Sequence, residues 1–164
     1  MNHYAALMVD IEKSRKYERV ERQALQERLL RSLAFLNRLF APSLSIPVGF
    51  SAGDECQGLF HSSAAAYRYF RLLETLHAPV ALRMGIGVGD WSLRVEGGPS
   101  TEQDGTAYHR ARRAIELAEV TGGKAAVLTD TPADVFTNEF WIREHEMRIA
   151  LTRKQRQLLV LSEV

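Results

Sequence analysis

The chain has 164 residues, of which 46% are hydrophobic and 25% charged, and its formal net charge is +1. This balance is typical of one globular domain and excludes a strongly basic nucleic-acid-binding protein. The only cysteine is Cys56, which rules out an internal disulfide and is consistent with a reducing cytosol. Because Cys56 lies in an apolar run, we expect a small core residue rather than a nucleophile.

The N-terminal segment MNHYAALMVDIEKSR contains an apolar run of strand length that ends on charged residues, so we expect no signal peptide. Nothing in the sequence approaches the roughly 20 consecutive apolar residues of a membrane-spanning helix. We therefore expect a cytoplasmic protein without a membrane partner.

The first 60 residues predict a strand, a helix and a hairpin. Residues 4 to 11, YAALMVDI, form a near-continuous apolar run, which predicts a buried central strand. Residues 17 to 40 have helical spacing and end before Pro42. Residues 46 to 60 predict a hairpin whose turn uses Gly53 at positive φ. The apolar face of the helix comprises Val20, Leu25, Leu29, Leu33, Leu36 and Phe40.

The remaining residues alternate predicted helices and strands around one turn-rich loop, residues 96 to 104. The predicted helices are residues 62 to 77, capped by Ser62 or Ser63, residues 106 to 121, closed by Gly122 and Gly123, and residues 132 to 141. The predicted strands are residues 80 to 95, after Pro79, residues 125 to 130, and residues 146 to 151.

This order of elements favours an α+β fold, a ferredoxin-like or palm antiparallel sheet with helices packed mainly on one face. A doubly wound parallel sheet is the alternative, and the hairpin disfavours it because it interrupts the alternation of strands and helices. We expect a palm domain over residues 1–150 and a C-terminal extension over residues 151–164.

Acidic residues end the first predicted strand and occupy the hairpin tip. Asp10 stands between apolar neighbours, where an unpaired carboxylate is costly, so it needs a partner. A palm arrangement places Asp10 near Asp54, with Glu12 and Glu55 close behind. Oxygen ligands select hard ions such as Mg²⁺ or Mn²⁺, and Mg²⁺ takes one or two carboxylates plus phosphate oxygens. This pattern predicts a metal site for a nucleotide or another phosphate-bearing small molecule.

The alternative is that Asp54 and Glu55 are solvated turn residues and that Asp10 caps the following helix. The predicted third helix adds a polar face on which His109, Arg113 and Glu116 recur at helical spacing. An arginine on such a face holds a phosphate or neutralises a transferring phosphoryl group. The other interpretation is a solvated basic face.

Small residues on two predicted elements indicate close packing. Alanines at 107, 111, 114 and 118 form a stripe along the third helix, and glycines at 85, 87 and 89 alternate on one face of the third strand. Such glycines leave room for a ligand or for a helix to lie close. The alanine stripe favours the helix.

Four motifs, VDIEKSR, SAGDE, RMGIGVGD and GTAYHRARR, resemble those of class III nucleotide cyclases and their GGDEF relatives. The resemblance implies a nucleotide cyclase-like palm fold, metal ligation by Asp10 and Asp54, and Arg113 at the place of the transition-state arginine. It also implies a homodimer, because these cyclases build their sites between two protomers. Phe50 replaces the purine-reading lysine of the cyclases, and His109 replaces their asparagine.

The chain is also similar to the SatD family of bacterial proteins, through DIEKSR, GDECQ, RMGIGVG and DGTAYHRAR in order. This resemblance adds candidates for phosphate binding after the first strand, Ser14 and Arg15, and in the hairpin, Gly53 and Gln57. Alternatively, Ser14 caps a helix and Gln57 is the polar half of an edge strand. Longer members continue into a helix-turn-helix, whose first helix residues 151–164 resemble. A terminal strand or helix that completes the domain is the other interpretation.

Two functions follow from these observations. The first is divalent-metal-dependent nucleotide binding, with phosphoryl or nucleotidyl transfer as the associated chemistry. The alternative is a catalytically inactive, cyclase-like sensor or dimerisation module of a DNA-binding regulator. The absent lysine and asparagine favour the alternative, in which DNA is a partner only where a helix-turn-helix follows the domain.

Overall fold

A five-stranded sheet organises residues 3–152, 154–155 and 158, which are the residues that the computed structural model describes. The strands are β1 Tyr4–Ile11, β2 Leu44–Ala52, β3 Glu55–Phe60, β4 Leu82–Gly89 and β5 Ala125–Leu128. The helices are α1 Arg19–Leu39, α2 Ser63–His77, α3 Thr106–Val120 and α4 Ala133–Ile149. Short 3₁₀ turns cover Ser14–Lys16, Ala41–Ser43 and Ser100–Glu102.

The strand order β2-β3-β1-β4-β5 contains a ferredoxin-like core of four antiparallel strands. β5 instead pairs parallel with β4, because α3 carries the chain back along the sheet between them. The predicted α+β class is confirmed, whereas the expectation of a purely antiparallel sheet is wrong at the β5 edge.

Helices α1, α2 and α4 cover one face of the sheet, so the prediction that the helices pack mainly on one face is confirmed. Alternate residues of β1, such as Leu7 and Val9, join the buried leucines of α1 in one core. Trp141 of α4 packs against the same core. Burying one such leucine side chain contributes about 1.5–3 kcal/mol. Val20, in the first turn of α1, is exposed, contrary to the predicted apolar face.

Helix α3 alone covers the opposite face, and it lies unusually close to β4. A Cβ on Gly87 would stand 2.1 Å from the backbone nitrogen of Ala111 and 2.2 Å from the carbonyl oxygen of Ala107. Gly85 would meet the backbone of Ala111 in the same way. The glycines of β4 therefore serve helix packing, as the alanine stripe of α3 predicts.

The turns follow their predicted chemistry. Gly53 adopts φ 60° in the hairpin between β2 and β3. Ser62 caps α2, because its hydroxyl accepts a hydrogen bond from the backbone N–H of Ala65 at 3.2 Å. Cys56 is fully buried on β3, and burial raises the pKa of its thiol to about 12, as expected of a core residue.

Two predicted strands differ from the structure. β4 ends at Gly89, not at residue 95. The residues after Gly89 form a loop, which is held by hydrogen bonds to the side chain of Gln103 and not by the backbone ladder of a strand. The Gln103 side chain accepts from the Trp91 indole and from the Val95 N–H, and donates to the Val95 carbonyl.

Residues 146 to 151 do not form the predicted last strand, since α4 runs without interruption from Ala133 to Ile149. Trp141 stacks on Tyr67 of α2 with ring centroids 4.6 Å apart, and Glu144 accepts a hydrogen bond from the Tyr67 hydroxyl at 2.8 Å. These contacts accompany one long helix where the sequence predicted a short helix and a turn over residues 132 to 141.

Most of the predicted C-terminal extension, residues 151–164, lies outside the described residues, and its helix-turn-helix interpretation stays a prediction. None of the helices in the described part of the chain is long and apolar enough to cross a membrane.

Candidate functional site

Asp10 lies near the end of β1, on the face of the sheet that α3 covers. Its Oδ2 accepts a hydrogen bond from Arg83 Nη1 at 3.3 Å. Its Oδ1 is buried and has no hydrogen-bond partner among the described residues. Because buried polar atoms are almost always paired, an unpartnered carboxylate oxygen indicates a place for a ligand.

The surroundings of Asp10 oppose its ionisation and together raise its pKa to about 6. Burial is the largest cause, and Arg83 offsets it only in part. The neighbouring carboxylates of Glu119, Asp54 and Glu12 act in the same direction as burial. Asp10 is thus a carboxylate that a cation would stabilise, and Asp54 stands close enough to contribute to its environment.

Arg83 of β4 is the central cation of this region, and the sequence analysis did not select it. It stands directly opposite Asp10 in the antiparallel register of β1 and β4. Its guanidinium lies 3.3 Å from Asp10, 3.5 Å from Glu119 and 4.0 Å from Glu12. The sequence pattern that could have indicated Arg83 is its place on the same face of the strand as the glycines, where an apolar residue would otherwise be expected.

Glu12 is held by two cations. Its carboxylate forms ion pairs with Lys124, the residue before β5, and with Arg83. The side chain is mostly buried. Since both partners are positive, Glu12 is already neutralised within the chain.

Glu55 begins β3 beside the hairpin tip and is clamped by α3. Arg112 binds both of its carboxylate oxygens, with Nη2 at 2.6 Å from Oε1, and the Ser51 hydroxyl donates to Oε1 at 2.8 Å. Burial raises the pKa of Glu55, but the hydrogen bonds from Arg112 and Ser51 outweigh it, so the pKa lies below its usual value. Asp54, the adjacent residue at the tip, carries no such clamp.

The two flanks of α3 point to different parts of the molecule. Arg112 faces the hairpin, whereas Arg113 Nη1 lies 3.4 Å from Asp130, which follows β5. Arg110 also bonds Asp130, at 2.8 Å, and its hydrogen bond lowers the pKa of that carboxyl. His109 is exposed and lies 3.1 Å from Asp104. Within one chain, therefore, the structure pairs the predicted His109 and Arg113 with other carboxylates, away from Asp10.

The remaining candidates lie on β3, in the hairpin turn and in the 3₁₀ turn after β1. Gln57 is buried on β3, in register with Met8 on the face that α3 covers. Gly53 forms the hairpin turn, and its carbonyl accepts from Gln26 of α1. Ser14 lies in the 3₁₀ turn after β1, and its carbonyl accepts from Arg22. The side chain of Arg15 lies outside the described part of the structure.

We call Asp10, Glu12, Asp54 and Glu55, with the cations Arg83, Arg112 and Lys124, the hairpin cluster. In the described residues, no group of three or more His, Cys, Asp or Glu side chains is arranged to hold a metal ion by itself. Glu12 and Glu55 meet cations through both of their carboxylate oxygens, whereas Asp10 meets Arg83 through Oδ2 alone.

A groove of about 380 Å³ lies elsewhere, between β2 and the loop that ends at Ser100. It is lined by residues 46 to 50 and 97 to 100, including Phe50. The groove contains no member of the hairpin cluster, so charge rather than cavity shape locates the candidate site.

Solved structures of nucleotide cyclase domains share this fold. The guanylyl cyclase domain of the RhoGC fusion protein from the fungus Blastocladiella emersonii aligns with a TM-score of 0.57 at 11% identity, covering 71% of this chain and 74% of that one. The guanylate cyclase domain of RhGC from Catenaria anguillulae, in complex with GTP, aligns with a TM-score of 0.54 at 10% identity, covering 70% and 72%. A bacterial light-regulated adenylyl cyclase aligns with a TM-score of 0.54 at 17% identity, covering 76% and 74%.

The architecture therefore defines a cyclase-like palm domain, as its motifs predict. Residues 4–130 match the model of the SatD family, and the chain belongs to that family. No curated protein sequence matches it significantly.

Proposed function

We propose that this domain binds a nucleotide through a divalent cation held by Asp10 and Asp54. The observation that carries the proposal is the buried, unpartnered Oδ1 of Asp10, on a carboxylate whose ionisation is opposed by its surroundings. A divalent cation would give Oδ1 a partner and would favour the ionised form of Asp10, because it accepts a lone pair from Oδ1 and offsets the repulsion from Asp54.

The donor set fits Mg²⁺ or Mn²⁺. Both cations prefer oxygen ligands, and Mg²⁺ commonly uses one or two carboxylates, with water and phosphate oxygens completing its shell. Glu12 and Glu55 would then act as counter-ions that position Arg83 and Arg112, more than as metal ligands.

A nucleotide is the proposed source of the phosphates. The fold is that of cyclase domains, one of which was solved in complex with GTP. Gly53 and Ser14 stand on the turns that flank the cluster, and with Gln57 and Arg15 they stay candidates for contacts with the ligand. Phosphoryl or nucleotidyl transfer would be the associated chemistry, by positioning and charge neutralisation.

Arg113 and His109 would act in a homodimer. Both are well exposed on α3, and in their own chain they pair with Asp130 and Asp104. A second protomer could bring these side chains to the hairpin cluster of its partner, as the resemblance to class III cyclases implies. Sedimentation of the wild-type protein with and without the nucleotide tests whether such a dimer forms.

A regulatory module without turnover is the second candidate, and Phe50 favours it. By resemblance to the cyclase motifs, Phe50 replaces the purine-reading lysine, and its apolar ring lines the groove along β2. A domain with this change can retain metal and phosphate binding while it lacks the cyclase reaction on ATP.

Thermal unfolding with ATP or GTP, with and without Mg²⁺ or Mn²⁺, tests the proposal. A ligand at about 100 times its Kd stabilises the folded state by about 2.7 kcal/mol, which raises the Tm by about 5 °C or more for a domain of this size. We expect the shift in wild type and in Asp90→Ala, a control at an exposed acid away from the cluster. We expect it to vanish in Asp54→Ala.

The proposal fails if no nucleotide shifts the wild-type Tm, or if Asp54→Ala keeps a metal-dependent shift. Chromatography of the nucleotides after incubation then separates the two candidates. Conversion to a new product supports an enzyme, and unchanged nucleotide with a retained shift supports a sensor.

A further inference from the structure

We infer that Arg112, and not its neighbour Arg113, is the arginine of α3 that contacts the phosphates of a ligand bound at Asp10 and Asp54 of the same chain. The inference rests on the proposed function and adds a residue that determines phosphate recognition. Glu55 is the residue that positions Arg112 for this contact.

The clamp between Arg112 and Glu55 aims the guanidinium at the hairpin tip. Both carboxylate oxygens of Glu55 are bound by Arg112, and the Ser51 hydroxyl fixes one of them at 2.8 Å. Since Glu55 begins β3 directly after the hairpin tip, the clamp fixes the cation at the end of β3 that carries the tip.

Arg112 keeps donors for a ligand after it has bound Glu55. A guanidinium has five N–H donors, of which the clamp uses two. The Arg112 side chain is 45% exposed, whereas Glu55 is only 17% exposed, so the free donors are accessible while the positioning carboxylate is sheltered. Asp10 is close enough to contribute to the raised pKa of Arg112, after the larger effect of its hydrogen bonds to Glu55.

Helix geometry places Arg112 and Arg113 on different flanks of α3. Adjacent residues of an α-helix point about 100° apart, whereas residues three apart share a flank. Arg113 therefore shares its flank with Arg110, and both bind Asp130 after β5. Arg112 is left as the arginine of α3 that binds a member of the hairpin cluster.

A cation at the position of Arg112 would reduce the electrostatic repulsion that a bound triphosphate meets. A triphosphate approaching Asp10 and Asp54 brings negative charge to a region that already holds four carboxylates. A divalent ion offsets part of this repulsion, and a guanidinium offsets more while it binds two phosphate oxygens at once. Arg83 is less suited, because Asp10, Glu12 and Glu119 surround it.

Two exposed arginines, one at the cluster and one on α4, provide a matched pair of variants. Calorimetric titration with ATP and GTP in Mg²⁺ should show the Kd of Arg112→Gln weakened by about tenfold, as for loss of one charged hydrogen-bonding group. Arg143→Gln, at an arginine of α4 that pairs with Glu146, should stay within about twofold of wild type. Glu55→Gln should lie between them, and Arg112→Lys should restore part of the loss.

Nucleosides and monophosphates distinguish a phosphate contact from a structural role. In Arg112→Gln, the advantage of the triphosphate over the monophosphate should shrink, whereas a structural defect would weaken both equally. The inference is overturned if wild type binds and Arg112→Gln binds as tightly as Arg143→Gln, or if Arg113→Gln weakens triphosphate binding and Arg112→Gln does not. A wild type that binds no nucleotide with either metal overturns the proposed function itself. Should Arg112→Gln not fold, Glu55→Gln decides: unchanged triphosphate affinity overturns the inference.

Discussion

The two faces of the sheet are covered in different ways. On one face, α1, α2 and α4 meet strands that present large apolar residues, and the resulting core includes Leu7, Leu36 and Tyr69. On the other face, α3 alone lies against glycines of β4, such as Gly87. The polar contacts of Asp10 and Glu55 belong to this second face.

The different coverage of the two faces indicates where this domain can expose charged groups to a ligand. Three helices cover the first face with mainly apolar contacts, and the charged groups buried there, such as Arg71, form ion pairs within the chain. A single close-packed helix covers β4 and leaves its flanks beside the hairpin tip and the end of β1, where ionised groups retain access to water. Both faces therefore contribute to stability, whereas the candidate site lies on the second.

The close approach of α3 to β4 should be the most sensitive feature. Gly87→Val would force a side chain into the backbone of α3, and we expect a loss of about 4 kcal/mol or failure to fold. Urea denaturation measures the loss. Gly49→Ala is the control, since its Cβ would meet nothing within 4 Å, and it should stay near wild type. Equal stability of Gly87→Val and wild type would contradict the packing described for this face.

The apolar face should respond to lost volume. Leu36→Ala removes a fully buried side chain from the core, and we expect a loss of about 3 kcal/mol in the free energy of unfolding. Leu30→Ala, on the exposed side of the same helix, should change it by less than about 0.5 kcal/mol. Similar losses of unfolding free energy in both variants would contradict the assignment of Leu36 to the core and of Leu30 to the surface.

Asp10 should carry a cost in stability on the polar face. Its pKa is raised to about 6 in the folded state from an ordinary 3.8, so the folded state binds the proton more tightly than the unfolded state. Its contribution therefore falls as the pH rises from about 4 to about 6 and stays low above that range. Without metal, Asp10→Asn should be more stable than wild type by about 1 kcal/mol at pH 7, and the difference should vanish near pH 4.

Denaturation at several pH values checks this expectation, with Leu30→Ala as the control, because that substitution changes no titratable group and its difference from wild type should stay flat. A flat profile for Asp10→Asn would show that Asp10 does not titrate as its surroundings require.

The smallest effect should come from Glu119, which is 67% exposed at the end of α3. Glu119→Gln removes a charge that raises the pKa of Asp10 and leaves Arg83 freer to pair with it. The pKa of Asp10 should therefore fall, with little change in stability. NMR titration of the Asp10 carboxyl measures this pKa. An unchanged or higher pKa would show that Glu119 does not act on the hairpin cluster through its charge.

Local patterns predicted the elements that close over short distances. The apolar run of β1, the glycine turn at Gly53 and the serine cap at Ser62 are all present. Each depends on neighbours within a few residues, which the sequence shows directly. The parallel pairing of β5 and the full length of α4 depend on partners elsewhere in the fold, such as Tyr67 beneath Trp141.

The sequence by itself determined the family motifs and the two carboxylates at the strand end and hairpin tip. Only the tertiary structure decided which cations meet them. Arg83 reaches Asp10 through strand register, and Lys124 reaches Glu12 from the start of β5. The choice between two consecutive arginines depends on how α3 is rotated against the sheet, because a turn of about 100° exchanges the flanks that they serve. The alanine stripe of α3 indicates which face packs on the β4 glycines. Which elements then lie beside each flank depends on the order of the strands in the sheet, and no local pattern specifies that order.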